Sequence, residues 1–294
     1  MDTQTFLKNM QSNDADVRFN AWRAAGEVDP VVVGELGKLA ASSTPGIARA
    51  AREALTTMTH SVGKDVKAPK REAVVSGLLN LNNAALPVRI HALRLLSNIA
   101  GEDAVGAIAK DIHNPDLREE VVYCLERIPG DASVEALLQA YPRAKDDFKP
   151  RLLAAFGHRR YAKAVEVCTK ASKSSDGALA VAGFKALARI GPSMSSALSL
   201  PEVEGLTETQ KTDVVDSRLR IADAQAKAGN KAAALNMYKA ILERPEEHFQ
   251  CAAIVGIAKL GSADAAALIL PQIKNANRNV RITAQNAWKG MASA

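Results

Sequence analysis

The chain has 294 residues, of which 47% are hydrophobic and only 4% aromatic, so it can bury a sizeable core built mainly from small and aliphatic side chains. No run of 18 apolar residues occurs, which excludes a membrane-spanning helix, and the three cysteines form no C-x-x-C pair. The net charge is only +6, and its distribution along the chain is more informative than its sum.

A short pattern of residue types recurs about every 30 residues from the N-terminus onward. Each copy has a turn, an apolar residue beside a basic one, small residues at helical spacing, and a final Gly or Pro. The first copy runs from Asp16-Val17-Arg18 to Gly26, and a second runs from Pro87-Val88-Arg89 to Gly101. Further copies begin at Pro115, Gly177, Phe249 and Asn279. Internal repeats of this length are typical of α-solenoids, whose units pack only on their neighbours.

The apolar residues inside the copies follow the helical period. In Leu86–Ile99, for example, Val88, Leu95 and Leu96 share one face, and the alternation typical of strands is absent. We therefore predict an all-α fold of about 18 short helices in about nine antiparallel pairs, forming a right-handed α-α superhelix.

Two segments interrupt the pattern. Ser61–Pro69 lengthens one spacing and is predicted to be an exposed loop between repeats. Leu219–Leu242 places small residues and Tyr238 as a tetratricopeptide unit does, and so resembles one such hairpin. We expect one continuous solenoid with repeats over 1–205, the tetratricopeptide-like hairpin over 206–245 and further repeats over 246–294.

The copies that begin at Asp16, Pro87 and Asn279 resemble HEAT repeats, in particular the short kind of about 30 residues also found in phycobilin lyases. The resemblance implies an armadillo-like fold but no single function, because such repeats serve scaffolds, adaptors, lyase subunits and nucleic-acid-binding proteins alike. In such repeats an acid or amide and a basic residue near the second helix commonly link neighbouring units. The resemblance thus implies a structural ladder of six residues: Asp16, Arg18, Arg89, Asp116, Arg118 and Arg281.

Motifs that carry chemistry are missing from the sequence. It has no phosphate-binding loop and no H-E-x-x-H, and its five histidines are scattered without ligand spacing. Cys124, Cys168 and Cys251 each lie in an apolar helical run and are interpreted as core residues. Trp22 and Trp288 lack the nearby carboxylate that a HEAT-like DNA glycosylase needs. We expect no catalytic residue, no metal and no cofactor, and hence a protein that is not an enzyme.

One repeat departs from the others in charge. Residues 143–173 hold nine basic and three acidic residues, whereas residues 76–142 hold five and nine. The segment Phe156–Tyr161 joins two helices and places Arg159 and Arg160 beside aromatic residues, a composition that can bind phosphates or carboxylates. An Arg-Arg turn on a solvated helix face is the alternative interpretation. The candidate patch for an anionic partner comprises Lys145, Lys149, Arg151, Arg159, Arg160 and Lys163.

The sequence favours a non-catalytic scaffold or adaptor that binds a protein or peptide, with an acidic partner surface the one that the basic segment would select. The alternatives are binding of nucleic acid or another polyanion through residues 143–173, and a lyase-type subunit as the family resemblance allows. Residues 1–4 lack the basic and apolar regions of a secretory signal. A cytoplasmic location is therefore the default expectation, although a leader already removed would leave no trace.

Overall fold

The computed structural model describes residues 1–191 and 205–292, and every regular element in these two ranges is helical. The chain divides into two compact units, Met1–Ala144 and Lys145–Ala294, which are described separately.

The first unit contains nine α-helices joined by short 3-10 turns. The residues at the starts of these helices are of types that favour a first helical turn. Pro45 and Pro87 occupy the first or second position of their helices, where no N–H donor is needed. The Asp14 side chain accepts hydrogen bonds from the first backbone N–H groups of its helix. The helices are α1 (Thr3–Met10), α2 (Ala15–Arg23), α3 (Val33–Ala40), α4 (Pro45–Gly63), α5 (Arg71–Leu79), α6 (Leu86–Ile99), α7 (Val105–Ile108), α8 (Arg118–Arg127) and α9 (Ala132–Ala140).

The described part of the second unit contains eight α-helices. Thr207 and Gln210 form a reciprocal capping box at the start of one helix, and Gly261 ends another in the left-handed conformation, with φ of 64°. The helices are α10 (Lys149–His158), α11 (Val165–Ser172), α12 (Gly177–Ile190), α13 (Glu208–Lys227), α14 (Lys231–Leu242), α15 (Glu247–Leu260), α16 (Ala263–Ile269) and α17 (Arg278–Ala292).

The helices of each unit form two layers and alternate between them along the chain, except that α12 and α13 are consecutive described helices and pack in the same layer. In the first unit α2, α4, α6 and α8 pack one against the next, and α3 packs on α5 and α7 on α9. In the second unit α10, α12, α13, α15 and α17 pack in succession, while α11, α14 and α16 lie against them. We call the helices α2, α4, α6, α8, α10, α12, α13, α15 and α17 the second-layer helices. This alternation is the stacking of helix pairs that the repeat predicts.

Small residues set the distance between the layers. A Cβ atom added at Gly183 on α12 would lie 2.6 Å from the backbone nitrogen of Ser172 and 2.8 Å from the carbonyl oxygen of Cys168 on α11, so these two helices nearly touch. Cys124 and Cys168 are fully buried, as expected of core residues.

The predicted loop at Ser61–Pro69 is shorter than expected, because α4 continues to Gly63. Val62 packs in the core, and Nη1 of Arg71 donates a hydrogen bond to its carbonyl oxygen at 3.0 Å, which stabilises the last turn of α4. The remaining loop residues include Val66, whose side chain is 76% exposed.

The segment predicted to be tetratricopeptide-like contains α13 and α14, which pack on each other. Tyr238 on α14 is buried, and its hydroxyl donates a hydrogen bond to the Asp223 carboxylate on α13. The assignment to a repeat type remains a prediction. The predicted boundary after residue 205 follows residues 192–204, which lie outside the described residues.

Candidate functional site

Two of the predicted ladder arginines close the turn in front of their own helix. Nη1 of Arg18 donates a hydrogen bond to the carbonyl oxygen of Ser12 at 2.6 Å, and Nη1 of Arg281 donates one to that of Asn275 at 2.7 Å. The side-chain oxygens of Ser12 and Asn275 also accept the backbone N–H two residues later, at 3.1 and 2.9 Å. Arg18 and Arg281 therefore stabilise the turn in front of their own helix, and the Arg18 guanidinium also lies beside Gly46 at the start of α4, in the next helix pair.

Arg89 does connect neighbouring helix pairs. Its Nη2 on α6 lies 2.7 Å from Oδ2 of Asp111, which precedes α8, and both side chains are at least two thirds buried. Asp16 is exposed in the first turn of α2, Asp116 is exposed in the turn before α8, and Arg118 is the first residue of α8. The ladder residues thus occupy corresponding turns but make different contacts there.

The candidate anionic-partner patch falls on the two ends of one helix. Lys149 lies at the start of α10 and Arg159 directly follows its last residue. At 1.5 Å per residue these two positions are about 15 Å apart. The patch therefore has two groups: Lys145, Lys149 and Arg151 at the start of α10, and Arg159, Arg160 and Lys163 after its end. A single small anion cannot reach both groups, but an extended partner can.

Arg160 has a left-handed backbone, with φ of 49°, and no other described residue except glycine has a positive φ. This conformation costs about 1–2 kcal/mol for a residue that carries a Cβ, and at the end of a helix glycine usually adopts it. The Arg160 side chain is exposed, and Nζ of Lys163 lies 5.8 Å from the ring centroid of the buried Tyr161. The turn thus presents Arg160 to solvent at a conformational cost.

An aromatic cluster lies on the exposed face of α2. The rings of Phe19 and Trp22 meet edge to face with their centroids 5.2 Å apart, and the Arg23 guanidinium lies 5.5 Å from the Phe19 centroid. Each contact of these kinds contributes about 0.5–1 kcal/mol. These contacts favour the observed arrangement of the cluster, in which Phe19 remains 44% exposed.

A second exposed aromatic lies between polar links that join α6 to α8. Arg94 on α6 makes two hydrogen bonds to the Glu120 carboxylate, one of them from Nε at 3.0 Å. Nη2 of Arg127 donates to Asn98 at 3.3 Å, and the Arg127 guanidinium lies 5.6 Å from the ring centroid of Tyr123. Tyr123 is 43% exposed and lies one helical turn from each of these links.

His91 forms a polar bridge where α6 packs on α4. Its Nε2 is 3.2 Å from the carbonyl oxygen of Arg52 and 3.4 Å from Oγ1 of Thr56. Burial lowers the pKa of His91 below its usual value of 6.5, and the hydrogen bond to the Arg52 carbonyl offsets part of that effect. The ring is therefore neutral at pH 7.

Exposed large apolar residues follow one rule in the described α-helices: all of them lie on second-layer helices. They are Phe19 on α2, Leu86 on α6, Tyr123 on α8, Val255 on α15 and Ile282 on α17. Single exposed apolar residues are common in proteins, and two further ones, Val31 and Leu270, lie in the 3-10 turns that adjoin α3 and α16. We call the solvent side of α2, α4, α6 and α8 the α2–α8 face.

The α2–α8 face offers rings, guanidinium groups and amides, which suit contact with another molecule.

Within residues 1–191 and 205–292 no cluster of His, Cys, Asp and Glu side chains could hold a metal ion. Burial raises the pKa of the Cys124 and Cys168 thiols to about 12, so both are protonated at neutral pH. None of the described helices is long and apolar enough to cross a membrane.

Sequence reasoning did not single out the α2–α8 face. The available signal was the position of Phe19 and Tyr123 off the apolar stripe of their helices, each with an arginine four residues later in the same direction.

Comparison with known proteins identifies a fold but no family. The sequence matches no protein-family model and no curated protein. Among solved structures, one from the Kap95:Nup1 complex has a TM-score of 0.60 at 13% identity; the match covers 99% of this chain and 46% of that chain. This chain therefore spans less than half the length of that one. The likeness, with the helical layers described above, confirms the predicted all-α solenoid class.

Two other solved structures are similar to a smaller degree. An engineered protein has a TM-score of 0.44 at 19% identity, over 99% of this chain and 89% of that chain. Human deoxyhypusine hydroxylase in complex with glycerol has a TM-score of 0.36 at 14% identity, over 82% of this chain and 98% of that chain.

Proposed function

We propose that this chain is a non-catalytic scaffold of HEAT-like repeats that binds a partner protein on the α2–α8 face. The observation that carries the proposal is the pair of exposed aromatics on this face, Phe19 and Tyr123, each held beside an arginine guanidinium. Aromatic residues and arginine are the types that dominate binding energy at protein interfaces.

The charges of the face favour a protein over a polyanion. Arg94 is neutralised by the Glu120 carboxylate, and Glu119 is exposed beside it on α8. Residues 76–142 carry more acidic than basic residues, so a nucleic-acid backbone would meet repulsion along this stretch. A protein surface can match a mixture of charges and rings, and the structure with the similar fold is itself that of a complex between two proteins.

The experiment compares partner capture by the wild-type chain and by a double variant, Phe19→Asp with Tyr123→Asp. The matched control is Val66→Asp, because Val66 is an exposed apolar residue outside the face. We expect proteins that the wild type and the Val66 variant both retain from native lysate, identified by mass spectrometry, to be lost from the double variant. Equal retention by all three folded chains, as checked by circular dichroism, refutes binding on this face.

A second candidate function is binding of a polyanion at the turn after α10. The basic composition of this segment favours it, because residues 143–173 hold nine basic residues against three acidic ones and the Arg160 side chain is exposed. Heparin affinity at several salt concentrations tests it. We expect retention that falls steeply with salt and is lost in Arg159→Glu with Arg160→Glu. Retention that this double variant does not change rejects this candidate.

A further inference from the structure

Arg218 occupies a core-facing position on α13. The residues three and four positions before and after it lie on the same side of the helix and are all buried: Val214, Val215, Ile221 and Ala222. Arg218 itself is half-buried, so the aliphatic part of its side chain continues this apolar stripe. A guanidinium group therefore lies at the edge of the core, at a position where the pattern of the helix favours an apolar residue.

The Arg218 guanidinium has no protein acceptor among the residues that the structure describes. Its nitrogens reach solvent, because no fully buried side-chain nitrogen in the described ranges lacks a hydrogen-bond partner. Burial lowers the pKa of Arg218, and the like charge of the nearby Arg244 lowers it further. Both effects make a charge costly at this position, so an aliphatic side chain would serve the packing of α13 at least as well.

Arg244 lies in the turn between α14 and α15. Its Nε and Nη2 donate to the two carboxylate oxygens of Glu246 at 3.1 and 2.7 Å, and Nε2 of Gln250 donates to the Arg244 carbonyl oxygen at 2.6 Å. These bonds stabilise the turn and show how a guanidinium here holds a carboxylate, through two bonds at once. Arg218 presents the same kind of donors from α13, without a carboxylate bound to them.

The surrounding charges leave Arg218 without a counter-charge. Glu246 balances Arg244, and Glu208 at the start of α13 pairs with a lysine of its own helix at 2.8 Å. Glu243 also lies in the turn, but it is exposed, and the neighbouring charge that acts on Arg218 is that of Arg244. The C-terminus of α14 and the N-terminus of α15 meet in this turn, so their opposite half-charges offset each other.

One positive charge matches a carboxylate better than a phosphate group, which carries about 1.5 to 2 negative charges. We propose that Arg218, beside Arg244, binds a carboxylate of a ligand, its planar guanidinium donating two parallel hydrogen bonds to the two oxygens. Two sources supply such a group, an acidic side chain of a bound protein and a free dicarboxylate, and the last experiment below distinguishes them. This site lies in the second unit and does not depend on the α2–α8 face, so the two proposals fail separately.

The first test observes Arg218 directly. In the whole chain with isotope-labelled arginine, the side-chain Nε–H resonances are followed by NMR during a titration with succinate at constant ionic strength. We expect the Arg218 resonance, assigned by its absence from Arg218→Met, to shift and to saturate with a midpoint of about 10 mM or below. The internal control is Arg220, which lies on the same helix, is exposed and bonds Asp216 at 2.9 Å. No saturable shift, or equal shifts of the two arginines, overturn the proposal.

The second test separates a binding role from a structural one. Arg218→Met keeps an apolar side chain and removes the charge, and Arg220→Met is the matched control because it makes the same change on the solvent side of α13. We expect Arg218→Met to melt at the temperature of the wild type or above it. Succinate should raise the melting temperature of the wild type and of Arg220→Met, but not that of Arg218→Met. A lower melting temperature of Arg218→Met without ligand assigns the arginine a structural role, and an undiminished rise with succinate places binding elsewhere; either result overturns the proposal.

The third test identifies the class and the source of the ligand. The Arg218 resonance is followed with inorganic phosphate and with two peptides, hexaglutamate and hexaglutamine. Phosphate that binds about tenfold more tightly than succinate, or an equal shift by both peptides, overturns the choice of a carboxylate. Hexaglutamate that binds about tenfold or more tightly than succinate, with no shift by hexaglutamine, supports the proposal and assigns the group to a protein. A smaller difference, which the several side chains of the peptide explain, supports it with a free dicarboxylate as the ligand.

Discussion

Gly183→Ala should destabilise the second unit, although alanine is the better helix former. In the interior of α12, alanine would stabilise the helix by about 0.5–1 kcal/mol relative to glycine. The added Cβ, however, would lie 2.6 and 2.8 Å from backbone atoms of Ser172 and Cys168. Backbone atoms cannot rotate away, so α12 as a whole has to shift from α11. Overpacking costs about 1–3 kcal/mol. Three backbone atoms of α11 lie within 3 Å of the added Cβ, so we take the upper part of that range, which leaves a net loss of about 1–2 kcal/mol.

Gly34→Ala is the matched control for this prediction. Gly34 lies in α3, and a Cβ there meets no heavy atom within 4 Å. The same substitution should therefore stabilise the first unit by about 0.5–1 kcal/mol, since only the conformational preference changes. A loss of stability in Gly183→Ala together with a gain in Gly34→Ala distinguishes the steric effect from the effect of helix propensity.

Urea unfolding followed by circular dichroism measures both effects. Because the chain has two compact units, a transition of one unit can shift without the other, so midpoints and slopes are compared for each transition. If Gly183→Ala is as stable as the wild type with an unchanged slope, the close approach of α11 and α12 is wrong.

Three further predictions concern single side chains. Arg160→Gly should raise the free energy of unfolding by about 1 kcal/mol by relieving its left-handed backbone, whereas Arg160→Ala should not; equal effects in urea unfolding contradict this. Burial and the Asp223 carboxylate raise the pKa of Tyr238, so this residue ionises first in the unfolded chain and the stability falls as pH rises above about 10. Tyr238→Phe should reduce this fall, measured as the melting temperature, and an identical fall in the variant contradicts the prediction. Burial lowers the pKa of His91, so stability should fall as pH drops below about 6.5; His91→Gln should flatten that dependence, and an unchanged pH profile rejects the assignment.

Local chemistry explains how much of the fold the sequence predicts. Leu86–Ile99 was predicted to be helical and is α6, because Pro87 suits the first turn and the apolar period continues to Ile99. The loop near residue 65 was predicted to start too early, because the end of α4 depends on a distant contact, the hydrogen bond from Arg71 to the carbonyl of Val62. Such a contact leaves no local signal.

The candidate site was less accessible to sequence reasoning for a related reason. The Arg159–Arg160 turn follows from the sequence, but a charge count over 143–173 does not show that Lys149 and Arg159 lie at opposite ends of one helix. The α2–α8 face depends on packing between repeats. Trp22 is half-buried and Phe19 is more exposed, although both lie off the core stripe of α2, and the residues of α2 alone do not show which of the two is covered.

On the second-layer helices, the residues that maintain the fold and the residues that differ between repeats lie on different sides of the helix. Turn residues such as Arg18 and Arg281 bond backbone carbonyls at the helix starts, and the apolar stripes bury the core. The solvent side of the same helices contributes few buried contacts, apart from links such as those from Arg94 to Glu120 and from Arg127 to Asn98, so most of its positions can change from one repeat to another at little cost in stability. In this chain that side carries aromatic–arginine pairs on α2 and α8, and a groove lined mainly by small and apolar residues of α15 and α17. One repeated structural pattern thus carries surfaces of different chemistry on the same kind of helix.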